Sequence, residues 1–578
     1  MPIVQLHKFL TTTVDRKSRS RTIFWLILTL TFAAVYGILG IKQAFSAEYM
    51  VQDDARQHVF WMMRFVDPEL FPNNFIANYF QSAAPAGYST LYKIAATIGI
   101  HPLFFQKILP LFLGLISTYY CFGIALEMLP VPMTGFIASL LLNQHMWMTD
   151  DLASGTPRAF IYPIFLAFLY YLSRRSLLPC LGAVALIGLF YPPYALVAGG
   201  ILVLRLLGWE NGRLCLSGDR TNYLFCSTGL GVIFAVMLPY ALDKSEFGPT
   251  YTAAEAKKMP EFAEDGRNAF FRPNPIDYWL TGRGSGIFPK SLFTPVTHCV
   301  ALLFPLLLVL RSHFPLVKQI QSSIWVLFQL FLASSAMFLA AHATLFRLYQ
   351  PGRYTAYSLR FIVVFLSAIV LTLIVDGVIN WAKEAKTTFD IKNLVATITI
   401  AIITVAVVFY PSMVTKFPTV GYVEGKMPDL YQFFEQQPKD ILIASIAGEA
   451  DNIPTFSQRS VLVAKEFAVP YQKGYYSRYL QRINDLIRAQ YTPDRAVLQK
   501  FINQYGIDFW MLDYNALTLQ YLQDYGWISV FDSTPEAMLA LKQGKIPVLA
   551  EAMTSCTVFQ NGIVVVLDAS CIVKLSGN

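Results

Sequence analysis

The chain has 578 residues, of which 55% are hydrophobic and 14% are charged. Soluble domains carry about 25% charged residues, so this composition and the mean hydropathy of +0.46 indicate a polytopic membrane protein and exclude an ordinary soluble enzyme. The net charge of +8 does not indicate nucleic-acid binding, because the basic residues lie in short segments between apolar runs, as topology signals do. We therefore expect a lipid bilayer around the chain and no nucleic-acid partner.

The amino end, residues 1–22, is basic and precedes the first apolar run, residues 23–41. This run is long for the core of a signal peptide, and no small-residue cleavage site stands out near Lys42. We predict that residues 1–22 are cytoplasmic and that the first run is an uncleaved membrane span.

Apolar runs continue to residue 411, and a spanning helix needs about 20 apolar residues. The segment Tyr191-Pro192-Pro193-Tyr194 should break a longer helix, because proline removes a backbone donor and restricts the residue before it. With that break, residues 23–411 are predicted to form a membrane domain of about 11 transmembrane helices. The runs are 23–41, 105–128, 132–147, 158–173, 177–190, 194–208, 222–242, 291–310, 323–342, 358–380 and 393–411.

The distribution of basic residues gives the orientation, since cytoplasmic segments carry an excess of lysine and arginine. Eleven spans with the amino end inside place the following residues in the cytoplasm: Arg174, Arg175, Arg213, Arg220, Arg311, Lys318, Lys383, Lys386 and Lys392. The long loops then face outward: 42–104, 243–290 and 343–357. We predict a multi-pass protein of the plasma (inner) membrane whose residues 412–578 also lie outside.

Residues 412–578 change character and are predicted to form an extracytoplasmic α/β domain, because short strand-like runs alternate with helical periodicity. Asn561-Gly562 predicts a hairpin turn. Cys556 and Cys571 flank that hairpin; they pair if the domain faces an oxidising compartment, and two free thiols are the alternative. The predicted strands are 440–444, 461–463, 507–512 and 563–567, and the predicted helices are 475–490 and 494–505.

Two pairs of adjacent aspartates lie in the first two outer loops. Asp53 and Asp54 follow the first span closely, where ionisable clusters are functional hypotheses and a carboxylate can act as a general base. Asp150 and Asp151 follow a short span, and their oxygens suit a hard divalent cation, Mg²⁺ or Mn²⁺. Helix capping is the alternative role for the second pair.

Basic and aromatic residues near these aspartates are the predicted substrate contacts. Arg353 follows a Pro-Gly turn, and the planar fork of a guanidinium suits a lipid phosphate. An aromatic belt with snorkelling arginines is the alternative, and we expect Arg347 and Arg360 to snorkel. The predicted substrate-binding residues are Arg353, His58, Arg56, Arg158 and Tyr354.

This layout resembles the GT-C superfamily of polytopic glycosyltransferases, which use polyprenyl-phosphate-linked sugars. Oligosaccharyltransferase, protein mannosyltransferases and aminoarabinose transferases belong to it. The resemblance implies a catalytic acid in the first outer loop, matched by Asp53 and Asp54. It implies a metal-binding acidic pair in the second loop, matched by Asp150 and Asp151, and a basic residue for the lipid phosphate, matched by Arg353.

The tail also carries part of this resemblance. Tyr505-Gly506-Ile507-Asp508-Phe509-Trp510 is similar to a tyrosine-glycine-valine-aspartate-tyrosine strand found in outer domains of such proteins. The tryptophan-tryptophan-aspartate-tyrosine-glycine motif with which oligosaccharyltransferase recognises its acceptor is absent from the sequence, so protein N-glycosylation is not implied.

The sequence therefore predicts a GT-C-type membrane glycosyltransferase of the cell envelope. It would move a sugar from a polyprenyl-phosphate-linked donor to an acceptor on the extracytoplasmic face, with Asp54 as the preferred catalytic residue and Asp53 next. One alternative is a transporter or flippase of lipid-linked sugars, which needs mid-span charges and discontinuous helices. The other is a non-catalytic envelope protein with the same fold.

Overall fold

A computed structural model describes residues 3–14, 19–210, 213–242, 245–264, 266–385 and 390–575. Parts of the predicted cytoplasmic segment 1–22 and Lys386, one of the predicted inner charges, lie outside the described residues. The same holds for residues 243, 244 and 265 of the second long loop and for residues 576–578 of the tail.

Helices dominate the chain up to residue 411. In order they are α1 (Ile3–Leu10), α2 (Arg19–Ala44), α3 (Ala55–His58), α4 (Phe75–Ala83), α5 (Ala86–Thr97), α6 (Pro102–Met128), α7 (Pro132–Trp147), α8 (Ile161–Ser173), α9 (Leu177–Phe190), α10 (Pro192–Leu204), α11 (Arg220–Leu242), α12 (Ala253–Ala256), α13 (Phe304–Val309), α14 (Trp325–Ala343), α15 (Gly352–Ala382) and α16 (Ile391–Val408). Three short strands accompany them: β1 (Met50–Gln52), β2 (Leu207–Glu210) and β3 (Arg213–Leu216).

Within the described residues, 6 helices are long and apolar enough to cross a membrane. They are Arg19–Ala44, Pro102–Met128, Arg220–Leu242, Ser322–Ala343, Gly352–Ala382 and Ile391–Val408. The predicted class, a helical polytopic membrane protein, agrees with these spans, but the predicted count of eleven is not confirmed. Several of the predicted runs form shorter helices, such as α7 with 16 residues and α8 with 13 residues, and these fall below the usual span length.

The predicted proline break is confirmed. Helix α9 ends at Phe190 and helix α10 begins at Pro192. Between them, Tyr191 has φ −147° and ψ 78°, which lies outside the helical region. The break therefore turns the backbone and leaves a short non-helical corner between two apolar helices.

Helix α15 lies at the centre of the helical part and is 67% buried over its most apolar stretch. It packs against α7, α14 and α16. Polar contacts tie it to other elements: Thr134 of α7 donates to Thr372 across 3.0 Å, and His7 Nε2 of α1 lies 2.8 Å from Asp376 Oδ1. These contacts hold the carboxyl-terminal part of α15 against α1 and α7.

The tail is an α/β unit, as predicted. Its elements are β4 (Tyr422–Glu424), α17 (Pro428–Glu435), β5 (Leu442–Ala444), α18 (Ile453–Phe456), β6 (Ser460–Val461), α19 (Lys473–Tyr491), α20 (Arg495–Tyr505), β7 (Phe509–Asp513), α21 (Leu519–Asp524), α22 (Ser533–Lys542), α23 (Val548–Ser555), β8 (Thr557–Gln560), β9 (Val564–Asp568) and α24 (Ala569–Leu575). A five-stranded sheet has the order β6-β5-β7-β9-β8, in which β5 runs parallel to β6 and β7 and antiparallel pairing joins β7, β9 and β8.

The predicted hairpin turn joins β8 to β9, and Gly562 adopts a positive φ of 80° there. Asn561 Oδ1 accepts from the backbone N–H of Ile563 and Val564, which holds the turn. Cys556 and Cys571 form a disulfide with their Cα atoms 5.5 Å apart, so the open question between a bridge and two thiols is answered by a bridge.

A second, two-stranded sheet joins the tail to the first outer loop. Strand β1 pairs antiparallel with β4, with Gln52 opposite Tyr422. One residue later, the N–H of Asp53 donates to the carbonyl of Gly421 across 3.0 Å. The predicted domain boundary at residue 412 therefore divides segments that share a sheet, and this sheet ends directly at the first aspartate pair.

Candidate active site

A cavity of about 610 Å³ lies where the first two outer loops, the α9–α10 corner, the segment before α15 and the tail meet. Charged side chains of both signs line it. The acidic residues in its wall are Asp53, Asp54 and Glu466, and the arginines are Arg158, Arg267, Arg283 and Arg353. A polar cavity with convergent charges is the default candidate for a binding or active site.

The first aspartate pair is positioned by its own loop. Gln52 is fully buried, and its Oε1 accepts from the N–H of Asp54 (2.9 Å) and of Ala55 (3.3 Å). Because β1 is also held by β4, these bonds start the short helix α3 at a defined point. Asp54 and His58 consequently line the same cavity.

The second outer loop is a tight turn, and side chains from other segments hold it in place by hydrogen bonds to its carbonyls. Gln106 Nε2 donates to the carbonyls of Ala153 (3.0 Å) and Ser154 (3.1 Å), and Tyr92 donates to the carbonyl of Gly155. Gly155 has a φ of 59°, and a Cβ at this position would lie 3.2 Å from the Gln106 carbonyl, so glycine is required. This tight turn is followed by a 3-10 turn, Pro157–Phe160, which contains Arg158.

Arg158 is where the two predicted aspartate pairs meet. Its Nη2 contacts Asp54 Oδ2 and lies 3.1 Å from Asp150 Oδ2, while its Nη1 lies 3.3 Å from Asp151 Oδ1. Burial disfavours the charged form of this guanidinium, but the three carboxylates outweigh burial and raise the pKa of Arg158 well above its usual value. The site thus holds a permanent cation between two loops that lie about one hundred residues apart in sequence.

Asp151 has a further partner inside the protein. Arg360 Nη1 lies 2.6 Å from Asp151 Oδ2, and Tyr162 and Tyr357 donate to the same carboxylate. Burial opposes ionisation of Asp151, but Arg360 and Arg158 outweigh burial and hold its pKa well below the usual range. The expectation that Arg360 snorkels is wrong: it is 8% exposed, because a buried carboxylate compensates its charge.

The predicted contacts Asp53 and Arg56 form a bridge to the tail. Arg56 Nη2 contacts Asp53 Oδ1 and lies 3.4 Å from Glu466 Oε2, and its Nη1 donates to Asn452 across 3.0 Å. Arg56 is buried and does not line the cavity, whereas Asp53 does. Arg56 therefore holds the wall together and is not placed to contact a ligand there.

Arg353 lines the cavity, as expected of a ligand contact. Its Nε donates to Gln350 Oε1 across 3.3 Å, and within the described residues no carboxylate forms an ion pair with it. Tyr354, also a predicted contact, is 1% exposed and donates to the carbonyl of Leu348, so it lies behind the wall. Tyr349, which precedes Tyr354 in the same segment, lines the cavity instead.

His58 also lines the cavity, edge-on to Phe80 with ring centroids 6.0 Å apart. Burial, together with nearby Arg158 and Arg353, lowers the pKa of His58 to about 4 against the opposing effect of Asp54. The imidazole is consequently neutral at physiological pH, with one donor and one acceptor nitrogen.

Arg267, Glu466 and Tyr471 are among the cavity residues that the sequence did not predict. Arg267 Nη2 lies 3.4 Å from Glu466 Oε2, and Tyr471 accepts from Gln350. Arg267 belongs to the long loop 243–290, to which the sequence assigns no chemistry. For Glu466 one signal was available: it follows the predicted strand 461–463, and ligands of open α/β sheets bind at the carboxyl ends of strands.

The predicted metal ligands have guanidinium partners in this structure. Asp150 pairs with Arg158, and Asp151 pairs with Arg158 and Arg360. In the part of the chain that is described, no group of three or more His, Cys, Asp or Glu side chains is arranged to hold a metal ion. The donor set does not fit a divalent cation while Arg158 occupies it, so no step below is derived through a metal.

The fold is similar to that of solved structures of an archaeal oligosaccharyltransferase. No family model matches the sequence, and no curated protein is detectably similar to it. The structure does match the oligosaccharyltransferase of Archaeoglobus fulgidus in its apo form, with a TM-score of 0.53, 12% sequence identity, and coverage of 90% of this chain and 72% of that chain.

Two further structures of that protein match. The archaeal oligosaccharyltransferase AglB in complex with an inhibitory peptide and a dolichol-phosphate gives a TM-score of 0.50 and 12% identity, over 89% of this chain and 72% of that one. A complex with zinc and sulfate gives a TM-score of 0.50 and 11% identity, over 89% and 70%. At this identity the likeness establishes the fold alone, and the predicted GT-C resemblance is confirmed at that level.

The two aspartates of the second loop should differ sharply in their effect on stability. Asp151→Asn leaves Arg360 buried without its charge partner, which costs about 3–5 kcal/mol when one member of a buried pair is removed. Asp150→Asn is the matched control, because its side chain is 50% exposed and surface pairs contribute about 0–1 kcal/mol. Thermal unfolding of the two variants in detergent tests this, and equal unfolding temperatures would contradict the buried pairing.

Glu466 should make stability depend on pH. Burial raises its pKa from 4.5 to about 7, although Arg267 and Arg56 oppose the shift. The folded state then binds this proton more tightly than the unfolded state, so the stability linked to it is present at low pH and lost as pH rises through about 7. As the pH rises toward and through about 7, the unfolding temperature of the wild type should fall relative to that of Glu466→Gln. Parallel pH profiles of the two proteins would refute the assignment.

Proposed function

We propose that this protein is an integral-membrane glycosyltransferase that moves a sugar from a polyprenyl-phosphate-linked donor to an acceptor on the extracytoplasmic face. The observation that carries the proposal is the cavity, which combines the Asp54 carboxylate of the first outer loop with the ion-unpaired Arg353 at the start of a membrane span. A donor with a lipid tail and a phosphate needs both a membrane edge and a fixed cation.

Arg353 is the proposed phosphate contact. It lies in the first turn of α15, whose amino terminus adds the partial positive charge of a helix end. The donor phosphate carries one negative charge while it is esterified to both sugar and lipid, and a second charge develops when the sugar leaves. A preorganised guanidinium stabilises that developing charge more than the ground state, which is the condition for catalysis.

Asp54 is the proposed catalytic carboxylate. The acceptor oxygen forms a bond to the anomeric carbon, the bond from that carbon to the phosphate oxygen breaks, and the acceptor proton passes to Asp54. Arg158 holds one oxygen of Asp54 and so orients the carboxylate. Asp53, the other candidate, is paired with Arg56 at the wall and is the weaker choice.

The neutral His58 and two tyrosines complete the proposed binding surface. His58 can both donate to and accept from sugar hydroxyls, because its low pKa keeps it uncharged. Tyr349 and Tyr471 line the cavity near Arg353, with ring centroids 5.1 Å apart. Together these groups offer apolar faces and polar atoms to a sugar ring.

The structural neighbours support this choice of donor, since one of them is a complex with a dolichol-phosphate. The disulfide Cys556–Cys571 supports an oxidising surrounding for the tail, because disulfides persist outside the cytosol. We accordingly place residues 412–578 on the extracytoplasmic side of the plasma (inner) membrane and residues 1–22 in the cytoplasm.

One observation favours a second function, the translocation of lipid-linked sugars. Tyr191, Pro192 and Pro193 form the break between α9 and α10, and all three line the cavity. Discontinuous helices at a binding site are typical of transporters. The two functions differ in their need for Asp54 as a proton acceptor, because translocation breaks no covalent bond.

The lipid donor is tested by mass spectrometry of lipids that copurify with the protein. Wild type should retain a polyprenyl phosphate or its glycosylated form, and Arg353→Ala should lose it because the phosphate contact is removed. Arg347→Ala is the matched control, since Arg347 is exposed in the same segment and does not line the cavity. Equal lipid content in both variants would overturn the role of Arg353.

Asp54 is tested by separating lipid binding from transfer. Asp54→Asn should keep the copurified lipid but lower the release of polyprenyl phosphate from a glycosylated donor by about 10²–10⁴-fold, the range for loss of a general base. A membrane extract serves as the source of acceptor. Full transfer by this variant would show that Asp54 is not the catalytic residue. If the wild type instead translocates the donor across vesicle membranes and transfers no sugar, the transporter function is favoured.

A further inference from the structure

Three aspartates surround the guanidinium of Arg158. Asp54 comes from the first outer loop, and Asp150 and Asp151 come from the second. All three carboxylates contact the same guanidinium, whose side chain is only 16% exposed. Three carboxylates around one point are the ligands that a divalent cation would need. Here the guanidinium of Arg158 already lies at that point.

The geometry of the centre is that of a guanidinium and not of a metal ion. Mg²⁺ requires near-octahedral oxygens at about 2.0–2.1 Å. Arg158 instead separates the carboxylates by its planar fork, with Asp150 at 3.1 Å and Asp151 at 3.3 Å from different nitrogens. Pro157 begins the turn that carries Arg158, so the backbone at this point is restricted.

The second carboxylate oxygen of Asp151, Oδ2, also has partners within the protein. Arg360 Nη1 lies 2.6 Å from it, and Tyr162 donates to the same atom. The three carboxylates carry three negative charges, and Arg158 and Arg360 already offset two of them. A divalent ion added to this set would leave a net positive charge in a site that also contains Arg353, and these like charges would repel each other.

We infer that Arg158 takes the place of a divalent cation in this site, so that the protein positions Asp54 with a covalently attached charge and binds no metal ion there. Arg158 is then a positioning residue: it holds the catalytic carboxylate and links the two loops. The role in positioning rests on the proposed glycosyl transfer, whereas the exclusion of metal does not. A chelator should consequently leave transfer unchanged.

The test measures Mn²⁺ binding by electron paramagnetic resonance, without donor or acceptor, so its result is independent of activity. Purified wild type in detergent should show no site that depends on these aspartates. Arg158→Gln removes the guanidinium and frees the carboxylates, and should raise Mn²⁺ affinity by about tenfold or more. Asp54→Asn added to Arg158→Gln should abolish the gain, while Arg347→Gln, an exposed arginine, should behave as wild type.

A second measurement keeps the inference testable if Arg158→Gln does not fold. Wild type, Asp54→Asn and Asp150→Asn are titrated with Mn²⁺ and, separately, with Zn²⁺. Identical titrations for the three proteins agree with a site already filled by Arg158. One ion bound per wild-type chain and lost in either variant would overturn the inference, and the proposed sugar transfer would still stand.

Discussion

The contact between Arg158 and the carboxylates of Asp54, Asp150 and Asp151 is the interaction on which the rest of the site depends. A guanidinium keeps its charge, so burying it is costly unless carboxylates compensate that charge, as they do here. Two outer loops therefore have to meet at this point. Arg360 extends the same network into α15, and the membrane helices and the outer loops become parts of one electrostatic unit.

The tail completes the cavity from the opposite side. The β1–β4 sheet ends at Asp53, and Arg56 reaches across to Glu466, so the tail and the first loop position each other. Glu466 and Tyr471 of the tail then line the cavity together with Asp53, Asp54 and Arg353. In the proposed glycosyl transfer, a site built from segments so distant in sequence would hold the sugar and the phosphate of the donor between the outer loops and the tail.

Features that depend on local sequence were predicted well. The proline break, the strands of the tail and the Asn561-Gly562 hairpin follow from backbone chemistry within a few residues, and each is present. Arg360 shows where this reasoning ends. Its sequence neighbours are apolar and aromatic, which favours snorkelling, but its partner Asp151 lies more than two hundred residues away and makes burial possible. The count of eleven spans is not confirmed, since a wholly buried helix such as α7 and a membrane span have similar compositions.

The sequence by itself determined the apolar, helical character of a multi-pass membrane protein, and it singled out Asp53, Asp54, Asp150 and Asp151, since carboxylates beside apolar runs are costly without a purpose. Only the tertiary structure decided what those carboxylates do. It brought Arg158 between the two pairs and placed Arg56 and Tyr354 outside the cavity lining. It also left Arg353 without an ion partner among the residues that the structure describes. The reason is physical: the function of a charge depends on its distance from other charges and on its access to water, and both are properties of the folded chain.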